Sequence, residues 1–523
     1  MKILKFAGTV PGHYRDDSRR KRTKPAVTTI GLATAVWVTS ALAPASANAI
    51  LDINQELITA FRTPALHVTP PPSAADIGLV GIAMYDAVNA ATGMAYKPYA
   101  YTGGPVAGIE ADAAAYSAGY TVLTKLFPTL ATTYQTELQT KLAGLGLSAT
   151  VRSTSAALGN TIATAYMATR ANDGRAAAQV PYADGTLPGQ YQKTPGVVAA
   201  IAPNWGLVTP FVMTSVNQFT VPKPPAIGSP EWIAAYTEVK TQGCLNCART
   251  PDQAQLSRFW SDIVNTQLPP GHWLTILDDL AGKRGLSTLE SARLTALLGA
   301  AVGDASIKTW NVKYLEGDLA WRPYTAIIQC TIETCGVEGD PNWTSLWASP
   351  PFPGYISGHS AFSAASATVL ADYFGDNTPF CSSSDPNAGF VGTVTRCFTS
   401  FSEAAAEAGE SRILGGIHFA FDNAQGLAVG QAIGNYDFAN AFTPVPEPSS
   451  MLLLATGAGM LALRQRRRAQ DGPAGQHCPP TSRPCCPHDD ATRDADGPGH
   501  ESFRCDARGI SPCGFRSDRR PRF

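Results

Sequence analysis

Four short segments between residues 313 and 422 carry cations, histidines and a glycine-flanked serine, residue types that bind oxyanions. A guanidinium group matches a tetrahedral oxyanion, and glycine at a helix start lets backbone N–H groups approach it closely. Any one of these residues alone is equally typical of a surface ion pair, a helix cap or a core histidine. Together they predict one pocket for a tetrahedral trianion such as vanadate or phosphate. The segments are Lys313 with Trp321-Arg322-Pro323, Ser357-Gly358-His359, Ser411-Arg412, and His418 with Asp422.

The neighbours of the two histidines suggest their roles. His359 follows Ser357-Gly358, where a proline-rich loop is predicted to turn into a helix, and is placed there to transfer a proton. Asp422 lies four residues after His418, so the two side chains would share one face of a helix. The carboxylate would bond one ring nitrogen and present the other as a ligand or nucleophile. Pairing of Asp422 with Arg412 is equally compatible with the sequence.

The charge distribution argues against nucleic acid as a partner. The formal net charge of −1 hides an acidic body, because residues 50–463 carry 20 Lys and Arg against 31 Asp and Glu. Phosphate backbones bind to basic faces, which such a body lacks. A length of 523 residues with 44% hydrophobic and 15% charged residues predicts a globular protein of two domains or one large domain.

Both the N-terminus and the cysteine content predict export. A basic stretch at residues 19–24, an apolar run at 28–43 and the small-x-small triplet Ala47-Asn48-Ala49 predict a signal peptide over residues 1–49, with an uncleaved anchor helix as the alternative. The cysteines of the body predict disulfides, most simply between sequence neighbours, although a zinc or redox site at the first two is an alternative. These cysteines are Cys244, Cys247, Cys330, Cys335, Cys381 and Cys397.

The C-terminal region carries a second targeting pattern over residues 445–468. Val445-Pro446-Glu447-Pro448 is followed by an apolar stretch at 451–463 and an arginine cluster at 464–468. This order resembles the PEP-CTERM sorting signal. The resemblance implies recognition by an exosortase-type processing enzyme and a destination at the bacterial surface or exterior, and a plain C-terminal anchor is the alternative. Residues 469–523 lack hydrophobic periodicity, which predicts disorder.

Hydrophobic periodicity predicts an all-α protein of two helical bundles, over residues 50–230 and 231–440. Alternating strand patterns are almost absent, and Ser287 with Glu290 forms a capping box at one helix start. Loops are predicted at 173–230 and 323–356. Helices are predicted from about residue 76 and near 111–126, 131–145, 150–171, 253–266, 271–283, 287–312, 359–374, 402–414 and 422–436.

The pocket residues resemble the three-part signature of vanadium-dependent haloperoxidases and type 2 phosphatidic acid phosphatases. The loop and helix start at residues 350–362 (PPFPGYISGHSAF) resemble the haloperoxidase branch more closely. The resemblance implies an all-α, chloroperoxidase-like fold of two bundles, with the oxyanion site in the C-terminal bundle.

The resemblance also implies a role for each residue. His418 would bind vanadium directly, and His359 would act as the acid–base. Phe352 matches a position that is phenylalanine in fungal chloroperoxidase, and with Trp321 it would border the halide pocket. The vanadate oxygens would be held by Lys313, Arg322, Ser357, Gly358 and Arg412.

Two features depart from the family pattern. Eight residues separate Lys313 from Arg322 where the family has six, so the helix must end or bulge for Lys313 to reach the pocket. Glu316 and Asp318 in this segment could offset the positive charge nearby. Ile356 replaces the usual proline before the serine, a milder change.

The resemblance implies an exported enzyme that oxidises halide with hydrogen peroxide at a histidine-bound vanadate and passes the halogen to small organic acceptors. The alternative is an acid phosphatase of the same superfamily, in which His418 would attack phosphorus, Asp422 would fix its tautomer and His359 would protonate the leaving group. A third reading is a non-catalytic surface or biofilm protein. The export signal and the chloroperoxidase-like loop favour the peroxidase. The halide, the organic acceptor and the oligomeric state stay open.

Overall fold

The computed structural model describes residues 48–178, 180–316, 320–389 and 392–446, and in these ranges the regular secondary structure is helical apart from one small hairpin. The all-α prediction is therefore confirmed. None of the helices in these ranges has both the length and the apolar content needed to cross a bilayer. In chain order the helices are α1 (Ala49–Arg62), α2 (Pro70–Ala91), α3 (Ala111–Leu126), α4 (Ala131–Gly144), α5 (Ala149–Thr169), α6 (Pro230–Gln242), α7 (Pro251–Phe259), α8 (Leu268–Arg284), α9 (Thr288–Tyr314), α10 (Pro323–Gln329), α11 (Ile332–Cys335), α12 (Gly358–Phe374), α13 (Phe401–Leu414) and α14 (Ala420–Asn440).

Two strands form the hairpin, β1 (Phe380–Ser383) and β2 (Thr395–Phe398), which pair antiparallel with Cys381 opposite Cys397. The predicted signal peptide up to residue 47, Asp318, the sorting signal from residue 447 and the tail at 469–523 lie outside the described residues.

Most predicted helices are present, with three kinds of difference. The predicted loop at 323–356 contains the short helices α10 and α11, and periodicity does not reveal α1 or α6. The helix predicted over 253–266 ends at Phe259, because Asp262 and Asn265 have backbone φ angles of 39° and 67°, which an α-helix cannot include. This early end turns the backbone of residues 260–262 towards the site described below.

Helix α1 begins at Ala49, the residue predicted to end the signal peptide. Asn48 caps the helix, accepting the Ile50 N–H at 3.1 Å and donating its amide to Ser291 Oγ at 2.8 Å. Ala49 is buried, and its N–H donates to Asp112 Oδ1 at 3.2 Å. Two residues of the predicted signal peptide thus take part in the folded helix.

Helices α2 and α9 pack closely against each other, and they come from the two regions that the sequence assigns to separate bundles. Their backbones touch at two glycines, since a Cβ on Gly299 would lie 2.7 Å from Gly78 N. The predicted capping box of Ser287 and Glu290 forms at the start of α9. The division into two bundles at residue 230 stays a prediction.

Close packing of α12 on α14 brings two helix N-termini together. Gly426 faces Ser357 and Ser360, and Gly434 faces Ala365, so the two helices run parallel. The Ser357 N–H donates to the Asp422 backbone carbonyl at 2.9 Å. Because both helices start at the same level, the segments carrying Ser357 and His418 lie side by side.

The six body cysteines form three disulfides between sequence neighbours, as predicted. The pairs are Cys244–Cys247, Cys330–Cys335 and Cys381–Cys397. The first pair closes as a disulfide, so the zinc alternative for these two residues is wrong.

Candidate oxyanion site

A cavity of about 380 Å³ brings together residues of three predicted segments. Gly358 and His359 come from the start of α12, Arg412 from the end of α13, and His418 from the residue pair before α14. Phe352, from the loop before α12, is a further lining residue. Lys313, Arg322, Ser357 and Asp422 bond to these residues or to the adjoining backbone from behind, as the following contacts show.

His418 is held between a carboxylate and a guanidinium. It lies just before α14, yet its Nδ1 is 2.9 Å from Asp422 Oδ2, which also accepts the Phe419 N–H at 3.1 Å. Its Nε2 is 2.9 Å from Arg322 Nη1. Because a guanidinium only donates, Nε2 must accept, so the proton of the neutral ring is on Nδ1. The predicted contact between His418 and Asp422 thus forms, and no hydrogen bond joins Asp422 to Arg412 among the described contacts.

Lys313 and Arg322 both hold the loop before α12 at Phe352 and the two residues after it. Lys313 Nζ donates to the carbonyls of Pro353 at 2.7 Å and Gly354 at 3.0 Å. Arg322 Nε donates to the Phe352 carbonyl at 2.8 Å. The Phe352 ring centroid lies 5.2 Å from Lys313 Nζ and 4.8 Å from Arg322 Cζ. Both cations therefore lie next to a wall of the cavity.

The longer spacing between Lys313 and Arg322 does not carry Lys313 away from the site. Helix α9 ends at Tyr314, one residue after the lysine, and Arg322 caps the start of α10. Glu316 pairs with Lys308, which lies on α9 five residues before Lys313. This glutamate thus neutralises a lysine outside the predicted set.

Arg412 and His359 form the opposite wall of the cavity. Arg412 Nη1 lies 3.0 Å from His359 Nε2, and the other ring nitrogen of His359 bonds to the Ser261 backbone. Arg412 Nη2 donates to the Trp260 carbonyl, and Nε donates to Ser411 Oγ at 2.8 Å. The carbonyls that fix these side chains come from the turn after α7, which the sequence gives no reason to place here.

Ser357 and Gly358 start α12, and Gly358 lines the cavity. Ser357 is the helix cap, and its Oγ accepts the Ser360 N–H at 3.3 Å. A Cβ on Gly358 would lie in ordinary van der Waals contact with the rings of Trp310 and Phe362, 3.5 Å from each. A helix N-terminus that lines a cavity suits a bound anion.

The electrostatics of the site favour an anion. Burial lowers the pKa of Arg322 and of Arg412 to about 10, and it lowers the pKa of Lys313 well below its usual range. Burial, followed by the neighbouring arginines, also holds the pKa values of His359 and His418 well below 6.5, so both rings are neutral at pH 7. Buried cations without matching anions are costly, which makes a bound oxyanion favourable.

Carboxylates offset only part of this positive charge. Burial raises the pKa of Asp422 to about 7, against the lowering effect of the Phe419 N–H and Lys313. Asp262 acts on Arg412 through its charge but bonds to His272 Nδ1 at 3.1 Å. Four polar atoms at the site have no hydrogen-bond partner within the described part of the chain: Arg322 Nη2, Asp422 Oδ1, Ser261 Oγ and Ser349 Oγ.

Trp321 is not brought to this cavity. It lines a separate cavity of about 360 Å³ together with Trp232, Phe419 and Phe421. The tryptophan beside Phe352 is Trp310, whose ring lies 4.9 Å away and lines the cavity of His359 and His418. Trp310 precedes Lys313 by three residues on α9, a spacing that places both on one helix face and could have identified it.

Comparison with known proteins agrees with this geometry. Residues 293–445 match the family described as the VCPO second helical-bundle domain. The solved structure of the first bacterial vanadium-dependent iodoperoxidase superposes with a TM-score of 0.65 at 26% identity, covering 76% of this chain and 97% of that one. These matches support the vanadium-dependent haloperoxidase superfamily for residues 293–445.

Two further vanadium chloroperoxidases are similar over different extents. The vanadium chloroperoxidase of Curvularia inaequalis is 26% identical over 288 residues, which are 43% of this chain and 46% of that protein. The chain thus matches about half the length of this curated relative. A holo-type bacterial vanadium-dependent chloroperoxidase structure has a TM-score of 0.55 at 15% identity, covering 74% of this chain and 96% of that one, and shares the fold.

The C-terminal region of the chain matches a second family model. Residues 444–468 match the PEP-CTERM protein-sorting motif, which confirms the predicted C-terminal sorting signal.

Proposed function

We propose that this protein is an exported vanadium-dependent haloperoxidase, which oxidises halide with hydrogen peroxide at a histidine-bound vanadate. The observation that carries the proposal is the state of His418. Asp422 fixes its proton on Nδ1, and its Nε2 lone pair points to Arg322 within a group of buried cations. The relatives named chloroperoxidase and iodoperoxidase support a peroxidase.

The residues present fit vanadate on three counts. Three buried cations face too few carboxylates, Arg322 Nη2 has no partner among the described residues, and Gly358 at the N-terminus of α12 lines the cavity. Lys313 also has a donor to spare, because an ammonium group has three protons and two of them bond to carbonyls. His418 would bind the metal, and the oxygens would be held by Lys313, Arg322, Ser357, Gly358 and Arg412.

The chain's own residues supply charge and proton transfer around that group. Vanadate, when bound, supplies a Lewis acid that activates peroxide. The cations balance the negative charge of the oxyanion, and Asp422 keeps His418 in the tautomer that presents Nε2. His359 is neutral and keeps part of its surface open to the cavity, so its Nε2 can accept a proton and return it. Its bond to the Ser261 backbone holds the ring in this orientation.

A phosphatase is the second candidate, and the His418–Asp422 pair favours it. A histidine whose Nδ1–H is fixed by a carboxylate is also a nucleophile for phosphorus, and the same cations would hold a phosphate ester. His359 would then protonate the leaving oxygen. The third candidate, a non-catalytic surface protein, predicts neither activity.

Assays of the purified protein with and without orthovanadate separate the three candidates. We expect peroxide-dependent halogenation of monochlorodimedone only with vanadate present, tested with chloride, bromide and iodide in turn. Hydrolysis of p-nitrophenyl phosphate without vanadate would instead support the phosphatase. Absence of both activities in a protein that binds orthovanadate would support the non-catalytic protein.

A matched pair of histidine variants tests the assignment of His418. We expect His418→Asn to reduce halogenation by at least about 1,000-fold, because the proposed metal ligand is lost. His67→Asn is the control, since His67 is an exposed histidine whose φ of 49° asparagine tolerates. Equal activity of the two variants would contradict the role of His418.

We also propose that the protein is exported and sorted to the cell surface. Three disulfides are typical of an oxidising compartment, and the sorting motif at 444–468 supports processing by an exosortase-type enzyme. Replacing the arginines of residues 464–468 by glutamine should leave unprocessed protein, detected by its mass in fractionated cells. Unchanged processing would count against this route.

A further inference from the structure

Ser357 has a chain of polar contacts behind it that no feature of the sequence signature requires. Its Oγ accepts the Ser360 N–H at 3.3 Å and lies 2.8 Å from Ser360 Oγ. Ser360 Oγ in turn lies 2.8 Å from Asn423 Oδ1, the amide oxygen as placed in the structure. Both serines are fully buried, so neither hydroxyl can turn to solvent for a partner.

The number of hydroxyl protons in this series of contacts decides whether Ser357 can donate a hydrogen bond to an oxyanion. A hydroxyl has one proton and two lone pairs. If Ser360 gives its proton to the Asn423 amide oxygen, Ser357 must give its own proton to Ser360 and has none for an oxyanion. If the amide instead presents its NH₂ group, Ser360 gives its proton to Ser357. Both lone pairs of Ser357 are then filled, by the N–H and the O–H of residue 360, and its proton must point away from them.

We propose that Asn423 and Ser360 are positioning residues that direct the Ser357 hydroxyl proton to the bound oxyanion. The donor order is Asn423 NH₂ to Ser360, Ser360 to Ser357, and Ser357 to the anion. A half-turn about the last side-chain bond of Asn423 exchanges its oxygen and nitrogen, so the NH₂ group can occupy the position 2.8 Å from Ser360. The inference rests on the proposed function, because it requires an oxyanion above Ser357.

The surroundings of Asn423 fit a dedicated position. Gly409 on α13 faces the amide, and a Cβ at that glycine would collide with it. Asn423 also follows Asp422, whose carboxylate orients His418 and whose backbone carbonyl accepts the Ser357 N–H at 2.9 Å. Asp422 and Asn423, consecutive residues in the first turn of α14, thus orient His418 and Ser357. These are the two groups proposed to contact the oxyanion from α14 and the start of α12.

A double-mutant cycle on the full chain tests the relay, with calorimetric affinities for orthovanadate alone and for inorganic phosphate alone as the readout. Ser357→Ala should weaken both by about 10–100-fold, the value of one hydrogen bond to a charged group. Asn423→Leu, which keeps the shape but removes the amide, should weaken both by about 3–10-fold in the unmodified chain. In the Ser357→Ala background the same change should have no effect, because no hydroxyl is left to orient.

Controls separate orientation from damage to the fold. Asn435→Leu makes the same replacement at an exposed position of α14 and should leave both affinities unchanged. Ser360→Ala removes the middle hydroxyl of the relay and should behave like Asn423→Leu. The relay is refuted if Asn423→Leu weakens binding equally in both backgrounds, or if it has no effect in the unmodified chain.

The two proposals fail in distinguishable ways. If oxyanions bind as expected through the relay but no halide is oxidised, the proposed function fails and the relay stands. If halide is oxidised and the cycle shows no coupling between Asn423 and Ser357, the relay fails and the function stands. If the unmodified protein binds neither oxyanion, both are refuted.

Discussion

Asp86 and Asp304 are as deeply buried as Arg322 and Arg412, but their partners differ in kind. Asp86 accepts the backbone N–H groups of residues 99, 100 and 101 at 2.8–2.9 Å. Asp304 accepts those of residues 211, 212 and 213 at 2.6–2.9 Å. The two arginines instead share their donors between backbone carbonyls and the neutral rings of His418 and His359.

The difference separates a structural use of buried charge from a binding use. Each carboxylate accepts three backbone N–H groups that are fixed by the fold, so its hydrogen-bonding capacity is satisfied within the folded chain. Each arginine gives one donor to a histidine nitrogen that can change partner, and Arg322 has one nitrogen without a partner in the described ranges. The acids hold loops against α2 and α9, whereas the cations leave capacity for an anion.

Removing a carboxylate should therefore affect stability and spare the site. We expect Asp86→Ala to lower the free energy of unfolding by about 3–5 kcal/mol, because three backbone N–H groups lose their acceptor. Asp86→Asn keeps one acceptor and should cost less. Urea unfolding measures the change, and orthovanadate titration of the folded variant should give an affinity within about two-fold of the original. A large loss of affinity would remove the distinction between the two sets of charges.

Removing a cation should have the opposite effect. We expect Lys313→Met to weaken orthovanadate binding by about 100-fold, the value of a charged hydrogen bond and the loss of one positive charge. The free energy of unfolding should change by less than about 1 kcal/mol, since the desolvated ammonium is itself costly. Calorimetry and urea unfolding on the same sample test both parts. A variant that is destabilised but still binds normally would show that Lys313 is structural.

The buried carboxylates and the buried cations should also change the free energy of unfolding with pH in opposite directions. Burial raises the pKa of Asp304 to about 6, above its unfolded value of 3.8, so the folded state binds more protons between these values. Its contribution to stability is full below pH 4 and is lost as the pH rises through 6, about 3 kcal/mol. Lys313 has a lowered pKa, so stability should rise with pH up to about 10.5.

Unfolding titrations of variants test these slopes. Asp304→Asn should flatten the fall between pH 4 and pH 6, and Lys313→Met should flatten the rise at alkaline pH. Slopes that survive both substitutions would assign the pH dependence to other groups, such as Asp278, whose pKa burial raises to about 8.

The sequence predicts the site better than the elements that support it. Lys313, Arg322, Ser357, Arg412 and His418 are recognisable because their chemistry is carried by side chains. The carbonyls of Trp260 and Ser261 hold Arg412 and His359, and a backbone atom leaves no mark in residue identity. The turn that places them depends on positive φ angles at non-glycine residues, which residue type does not indicate.

Two other differences have similar physical causes. Helix α1 begins at Ala49, the last residue of the predicted signal peptide, whereas hydrophobic periodicity predicts helices only from about residue 76. Trp321 is adjacent to Arg322 in sequence, but neighbours in an extended segment point to opposite sides. The tryptophan therefore lines one cavity while the arginine bonds the residues of the other.

Helix α9 connects the glycine contact with α2 to the oxyanion site. It has 27 residues and is about 40 Å long, with Lys313 in its last turn. Because an uninterrupted helix moves as a rigid body, a shift where Gly78 meets Gly299 would displace the lysine ammonium by a similar distance. Helix α2 contains none of the predicted oxyanion ligands, yet its packing sets the position of one of them. Substitutions there are expected to alter the size of oxyanion that the protein accepts.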